Sequence, residues 1–196
     1  MKDLSLINIF LKSMLVDNVI LTQYLALCPF IGMTKDSSKA WGMGIATSFV
    51  IVLAVAVTWP LYNYVMVPNG LEFLQTLIFI LVIACLVQLV EFYLKKCAPA
   101  LYSAMGVYLA LITTNCAVLG TSLNSCSENL GYIQSIVYAL GISCGFVLSM
   151  MVMSGVRKKL AKTTFQTPVF MRGTPILFIA AGLLSLAFMG FGNLIN

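Results

Sequence analysis

The chain has 196 residues, of which 61% are hydrophobic and only 9% charged, with six cysteines and no histidine. A soluble domain carries roughly a quarter of its residues as charges, so this composition cannot cover a globule in water, and lipid is the solvent for most of it. The lack of histidine excludes bis-histidine haem, histidine-ligated copper and the usual zinc chemistry, leaving cysteine and methionine as the soft metal ligands.

Six apolar stretches are predicted to cross a hydrocarbon core, which takes about 20 helical residues each. They lie near 5–33, 38–63, 71–95, 100–124, 130–156 and 173–194. Barrel strands would be short and alternating, and these runs are long and continuous. The expectation is an all-α integral membrane protein forming one transmembrane domain over 1–196.

The first stretch is too long for a cleavable signal and is expected to remain as a span. It carries Lys12, which can snorkel outward, then Asp17-Asn18, and near its end Cys28-Pro29. An ionisable residue inside a span is a functional candidate. Asp17 and Asn18 could hold a cation or line a wet cavity, or simply make interhelical hydrogen bonds. The second stretch places Trp41 and Trp59 near opposite ends, as interface anchors. In the third, Glu91 precedes Lys95 by one turn, a favourable ion pair. The fourth interrupts its leucine-rich pattern with Thr113-Thr114-Asn115 directly before Cys116. The fifth has Gly141, Gly145 and Ser149 on one stripe, a face for close helix packing. The sixth reaches the end of the chain, with no soluble domain expected beyond it.

The net charge of +5 could suggest a nucleic-acid partner, but its distribution reports topology instead. With six spans, the connections 34–38, 95–99 and 157–172 share one side. They carry Lys35, Lys39, Lys95, Lys96, Arg157, Lys158, Lys159, Lys162 and Arg172, whereas the other side has Lys2, with Lys12 inside the first span. The positive-inside rule then puts both termini on the non-cytoplasmic side. The 157–172 segment suits anionic lipid contact or an acidic partner surface.

The second half, laid over the first, aligns Leu109 with Leu21, Cys116 with Cys28 and Gly120 with Gly32. Three spans per half is an odd number, so the two halves, about 5–95 and 100–194, would enter from opposite faces as inverted repeats. Were both cysteine-bearing helices continuous, Cys28 would lie about 8 Å from the basic face and Cys116 about 24 Å from it, at about 1.5 Å per residue. Pro29 after Cys28 and the polar patch before Cys116 are predicted to break helices 1 and 4 near the bilayer centre. Two broken helices could then bring both sulfurs to one depth. Cys85, Cys97, Cys126 and Cys144 are read as packing residues.

The sequence resembles the Rnf/Nqr family of membrane subunits, most closely the A type of the bacterial Rnf electron-transport complex. The likeness is carried by Leu25-Ala26-Leu27-Cys28-Pro29-Phe30, Ala56-Val57-Thr58-Trp59, Phe79-Ile80-Leu81-Val82-Ile83-Ala84, LVQLVE from Leu86 to Glu91, ITTNCAVLG from Ile112 to Gly120, and AGLLSLAFMGF from Ala181 to Phe191. Asp17 departs from it, because the family pattern has an uncharged amide there. The resemblance implies that Cys28 and Cys116 each ligate iron of a [2Fe-2S] cluster inside the membrane. Two further ligands would come from a homologous, inverted subunit of the E type. It also implies B, C, D and G type partners, a bacterial cytoplasmic-membrane location, and a complex coupling ferredoxin oxidation and NAD reduction to sodium or proton export. From the residues alone, a small inverted-repeat secondary transporter without a redox cofactor is the alternative.

Overall fold

A computed structural model of the chain describes residues 2–97, 112–128, 130–163 and 173–195. All regular structure among them is helical. The helices are α1 (Lys2–Leu15), α2 (Leu27–Met33), α3 (Ser37–Leu61, running on through a π turn at Tyr62–Met66 to Asn69), α4 (Gln75–Cys97), α5 (Cys116–Ser127), α6 (Tyr132–Thr163) and α7 (Thr174–Ile195). Ser37–Asn69, Gln75–Phe92 and Tyr132–Leu160 are long and apolar enough to cross a membrane, and Leu6–Leu15 and Thr174–Gly190 are shorter apolar helices.

Three boundaries differ from expectation. The first stretch is two helices joined by successive turns at 16–26. Its break therefore lies before Cys28, and Pro29 sits inside the first turn of α2, where a missing N–H leaves no helical bond unmade. The fifth helix does not end near 156 but reaches Thr163, so Arg157, Lys158, Lys159 and Lys162 lie on helix, not in a loop. Lysine, leucine and alanine are good helix formers, and cations suit a helix C-terminus. The remainder of that predicted loop, 164–172, and residues 98–111, which include the first part of the fourth stretch, lie outside the described residues. In the second stretch, Pro60 removes one backbone donor, and the π turn follows two residues later.

Apolar side chains cover both the inside and the outside. Phe30, Ile51, Phe79, Phe146 and Met150 are fully buried, while Phe49, Leu81, Leu89, Phe92, Leu183 and Met189 are exposed. That exterior is what a hydrocarbon solvent allows. Several buried hydroxyls donate to the carbonyl one turn back, as Thr58 does to Ala54, Thr121 to Ala117 and Ser149 to Gly145.

α6 is the central helix, with α3 and α1 packed along it. The predicted small-residue stripe makes that approach possible. A Cβ on Gly141 would overlap Ser13 Oγ and lie 2.8 Å from Phe10 O, and one on Gly145 would lie 2.7 Å from Met14 O. On α3, Gly44 lets Val147 approach, and Ser48 and Ser143 each direct Oγ at the other's carbonyl at 3.4 Å. Trp59 donates from Nε1 to Leu130 O at 2.8 Å and packs tilted against Tyr132, while Trp41 is exposed near the other end of α3. The Lys39 ammonium, 2.8 Å from Asp36, holds that carboxyl below its ordinary range, chiefly through the hydrogen bond it donates.

Because the approach at Gly145 is to backbone, a methyl group there cannot be absorbed by a rotamer change. Gly145→Ala is expected to cost about 1–3 kcal/mol of overpacking and to lower the thermal midpoint of the detergent-solubilised protein. Gly155→Ala, whose Cβ would meet nothing within 4 Å, should leave it unchanged. Equal midpoints for the two variants would contradict the α1–α6 contact.

Candidate functional site

Both candidate cysteines open a helical segment just past a break. Helical structure stops after Thr113, the chain turns at Thr114 and Asn115, and α5 begins at Cys116. Cys28 is the second residue of α2, which follows the turns at 16–26. Each break uses an asparagine in the same way. Asn18 Oδ1 accepts from Ile20 N at 3.3 Å, and Asn115 Oδ1 accepts from Ala117 N at 3.0 Å. A short amide that bonds the backbone two residues on is a local substitute for helical hydrogen bonding.

The first break is enclosed by three helices. Asn18 is fully buried, and its Nδ2 donates to Gly145 O at 3.1 Å and Ser149 Oγ at 2.8 Å on α6. Ser185 of α7 donates from Oγ to Leu21 O in a short bond and lies 3.0 Å from the Tyr24 hydroxyl. Val19, Ile20 and Leu21 are at most 2% exposed. Tyr24 (φ 55°) and Ala26 (φ 62°) hold the left-handed conformation, which side chains adopt only under constraint. Ala26 is the residue that turns the chain into α2.

α5 completes the enclosure. Asn124, Gly120 and Cys116 lie one turn apart on one stripe. Asn124 Nδ2 is 3.4 Å from Gln23 Oε1, and a Cβ on Gly120 would come within 2.9 Å of Leu25 Cδ1. The chain entering α2 thus runs antiparallel along the face of α5 that begins with Cys116. The glycine that repeats between the halves is therefore a contact point in its second copy, while Gly32 has open space around it.

The far end of α2 is held by charge. Arg157 Nη1 donates to Ile31 O at 2.6 Å and to Thr34 Oγ1 at 3.1 Å, and Thr34 in turn donates to Phe30 O at 2.6 Å. A guanidinium on the last carbonyls of a helix satisfies acceptors that have no intrahelical partner. Ser37 and Ser154 hydroxyls meet at 2.9 Å beside it, so two of the basic segments lie together.

Cys28 and Cys116 are both free thiols and both exposed on the surface of this chain. Cys116 Sγ is 3.9 Å from Thr114 O, so the sulfur is folded back over the break. Among the described residues, no group of three or more potential ligands could hold a metal within this chain alone. Cys126 is buried, and Cys85 and Cys144 are exposed on α4 and α6. The side chains of Cys97 and Lys95 lie outside the described residues, and with Lys95 the expected pair to Glu91. Asp17 is half-buried, with Lys12 as the opposite charge acting on it. Of the Asp17-Asn18 pair, Asn18 makes the interhelical bonds. Arg157 and Ser185 carry no sequence signal for their roles, because each acts on a backbone carbonyl that any residue could offer.

The family model described as Rnf-Nqr subunit, membrane protein, matches residues 6–195. The chain is 49% identical over 188 residues to a protein of Azoarcus sp. named as the A subunit of an ion-translocating oxidoreductase complex, covering 96% of each. A protein of the same name from Syntrophotalea carbinolica is 46% identical over 191 residues, 97% of this chain and 98% of that one. The A subunit of the Na(+)-translocating ferredoxin:NAD(+) oxidoreductase complex of Acetobacterium woodii is 42% identical over 191 residues, with 97% and 98% covered.

The geometry makes Asn18 the anchor of the first break. Asn18→Leu would strip Ile20 N of its acceptor and Ser149 of a donor in a dry setting. A loss of about 1–3 kcal/mol is expected for the unsatisfied groups. It should appear as a lower thermal midpoint and faster proteolysis, and Asp17→Asn should change neither. A wild-type midpoint in Asn18→Leu would count against the anchor.

Proposed function

The chain belongs to the Rnf-Nqr family of membrane subunits, and from that premise we propose that it is the A-type member of a redox-driven ion-translocating complex. Its close relatives are subunits of ion-translocating oxidoreductases, one of them a ferredoxin:NAD(+) enzyme. On this reading the chain carries electrons through the membrane by way of a [2Fe-2S] cluster, with two ligands from Cys28 and Cys116. A homologous, inverted subunit of the E type supplies the other two. The complex lies in the bacterial cytoplasmic membrane, with both termini of this chain on the non-cytoplasmic side and the basic segments facing the cytoplasm.

The observation that carries the reading is the pairing of the two breaks. Gln23 meets Asn124 and Leu25 meets Gly120. Continued by one more turn of α5, that register carries Leu27-Cys28 toward Cys116. The donor set fits the group. Iron–sulfur clusters take four thiolates as a rule, and two free, exposed cysteines with no third ligand among the described residues make half a site that a second protein chain can complete. Bound there, the cluster would supply one-electron transfer at a depth water does not reach. The residues of this chain enclose it from one side, fix its two ligands on opposite half-helices, and satisfy the interrupted backbone around it.

The six-span inverted repeat is part of the same proposal. It is supported by the Ser48–Ser143 pair, in which each hydroxyl faces the other's carbonyl. A reciprocal contact of this kind is what a two-fold relation between helices produces.

The test is iron content and low-temperature EPR of the purified complex with wild-type chain, Cys28→Ala and Cys116→Ala. Each single substitution is expected to abolish the same iron–sulfur signal, with the subunits still assembled. Survival of the signal and the iron in both variants would overturn the shared cluster and favour a transporter scaffold without a redox cofactor.

A further inference from the structure

One polar group at the site is left without a partner by the fold itself. Asn115 is 5% exposed, and its Nδ2 has no hydrogen-bond partner among the described residues. Its Oδ1 is engaged, accepting from Ala117 N at the start of α5. The orientation of the amide is therefore fixed, and Nδ2 belongs to the residue directly before Cys116. In the first break the asparagine amide is fully used, because Asn18 Nδ2 has two acceptors on α6. Burying an amide donor with nothing to bond is costly.

The missing acceptor can be named from the chemistry around it. The backbone oxygen of Asn115 already accepts from Val118 N, and Cys116 Sγ leans back over the break to within 3.9 Å of Thr114 O. A neutral thiol in that position acts as a donor. Once deprotonated and bound to iron it has no proton to give, and its sulfur becomes an acceptor at the spot flanked by Thr114 and Asn115. An unpartnered amide N–H on the residue directly before the thiolate is a suitable donor for it. The other buried polar atoms left without partners, Thr47 Oγ1, Ser125 Oγ and Ser135 Oγ, lie further along helices and flank no cysteine candidate. Each is a single hydroxyl, free to rotate toward its own helix backbone.

We propose that Asn115 is a positioning residue for the cluster, capping α5 with its side-chain oxygen and donating from Nδ2 to a sulfur of the group that Cys116 ligates. This rests on the reading of Cys116 as an iron ligand. A hydrogen bond to sulfur withdraws electron density and favours the reduced state, so its loss lowers the reduction potential.

Asn115→Ser keeps a capping oxygen and deletes the amide arm, so α5 should still start at Cys116. In the purified complex, this variant is expected to retain iron and the EPR signal. Its reduction equilibrium should shift about tenfold toward the oxidised form, which is about 59 mV for a one-electron couple. Wild-type complex labelled with 15N at the asparagine side-chain amide supplies a second measurement that needs no variant. Pulsed EPR of the reduced cluster should detect that nitrogen. A cluster with unshifted potential in Asn115→Ser, or no nitrogen coupling in the labelled wild type, overturns the proposal while leaving the iron ligands in place. Absence of iron from the wild-type complex overturns the ligand reading instead, and this one with it.

Discussion

Everything near the candidate site follows from one constraint: a backbone that leaves the helix inside a bilayer must find all its hydrogen bonds within protein. Residues 16–26 leave the helix in this way. Asn18 answers that constraint more completely than any other side chain, with its oxygen on Ile20 N and its nitrogen on Gly145 O and Ser149 Oγ. The glycine stripe on α6 serves the same end. Only with no Cβ at Gly141 and Gly145 can α1 come close enough for Asn18 to reach the carbonyl of Gly145. Ser185 on α7 and Gly120 on α5 close the remaining sides.

That enclosure explains why the cysteines stand where they do. A break held by three neighbours gives the half-helix after it a fixed starting point, and Arg157 fixes its end through Ile31 O and Thr34. The basic residue that reports topology in the sequence is thereby also a structural cap. Cys28 and Cys116 remain exposed despite the buried backbone next to them. The interior thus satisfies the polypeptide, and the two thiols are left on the outside of the chain.

The helical class, the small-residue face of α6 and the position of the second break are legible in the sequence, each through a local signal. Thr113-Thr114-Asn115 is polar where its surroundings are leucine, and Gly141 and Gly145 stand at the spacing that stacks them. For the first break, proline is a misleading marker. It is tolerated in the first turn of a helix, so Pro29 marks where α2 begins, and the break itself has no proline or glycine in 16–26. Its left-handed residues are Tyr24 and Ala26, which no propensity would select. Tertiary bonds from α6 and α7 impose them. Likewise the roles of Arg157 and Ser185 depend on carbonyls more than 100 positions away, beyond any periodic pattern. The cluster itself rests on family likeness and on the matched cysteines, not on spacing.

Under the proposed topology, the lengths of the two half-helices set where between the two faces the cysteines would meet. α2, with 7 residues, is about 10 Å long, and α5, with 12, is about 18 Å, at about 1.5 Å per residue. Laid end to end they reach about 28 Å, close to the hydrocarbon thickness of about 30 Å. If α2 enters from the basic face and α5 from the other, each spans its own share of the bilayer and the two cysteine-bearing starts fall at one level. On that topology the level would be about a third of the way in from the basic side. The contact of Leu25 with Gly120 agrees with it, since the chain entering α2 already lies beside the first turns of α5. Cys28 would then keep the shallow depth that a continuous helix would have given it. On that topology it is the break before Cys116 that would bring the second sulfur to the same level.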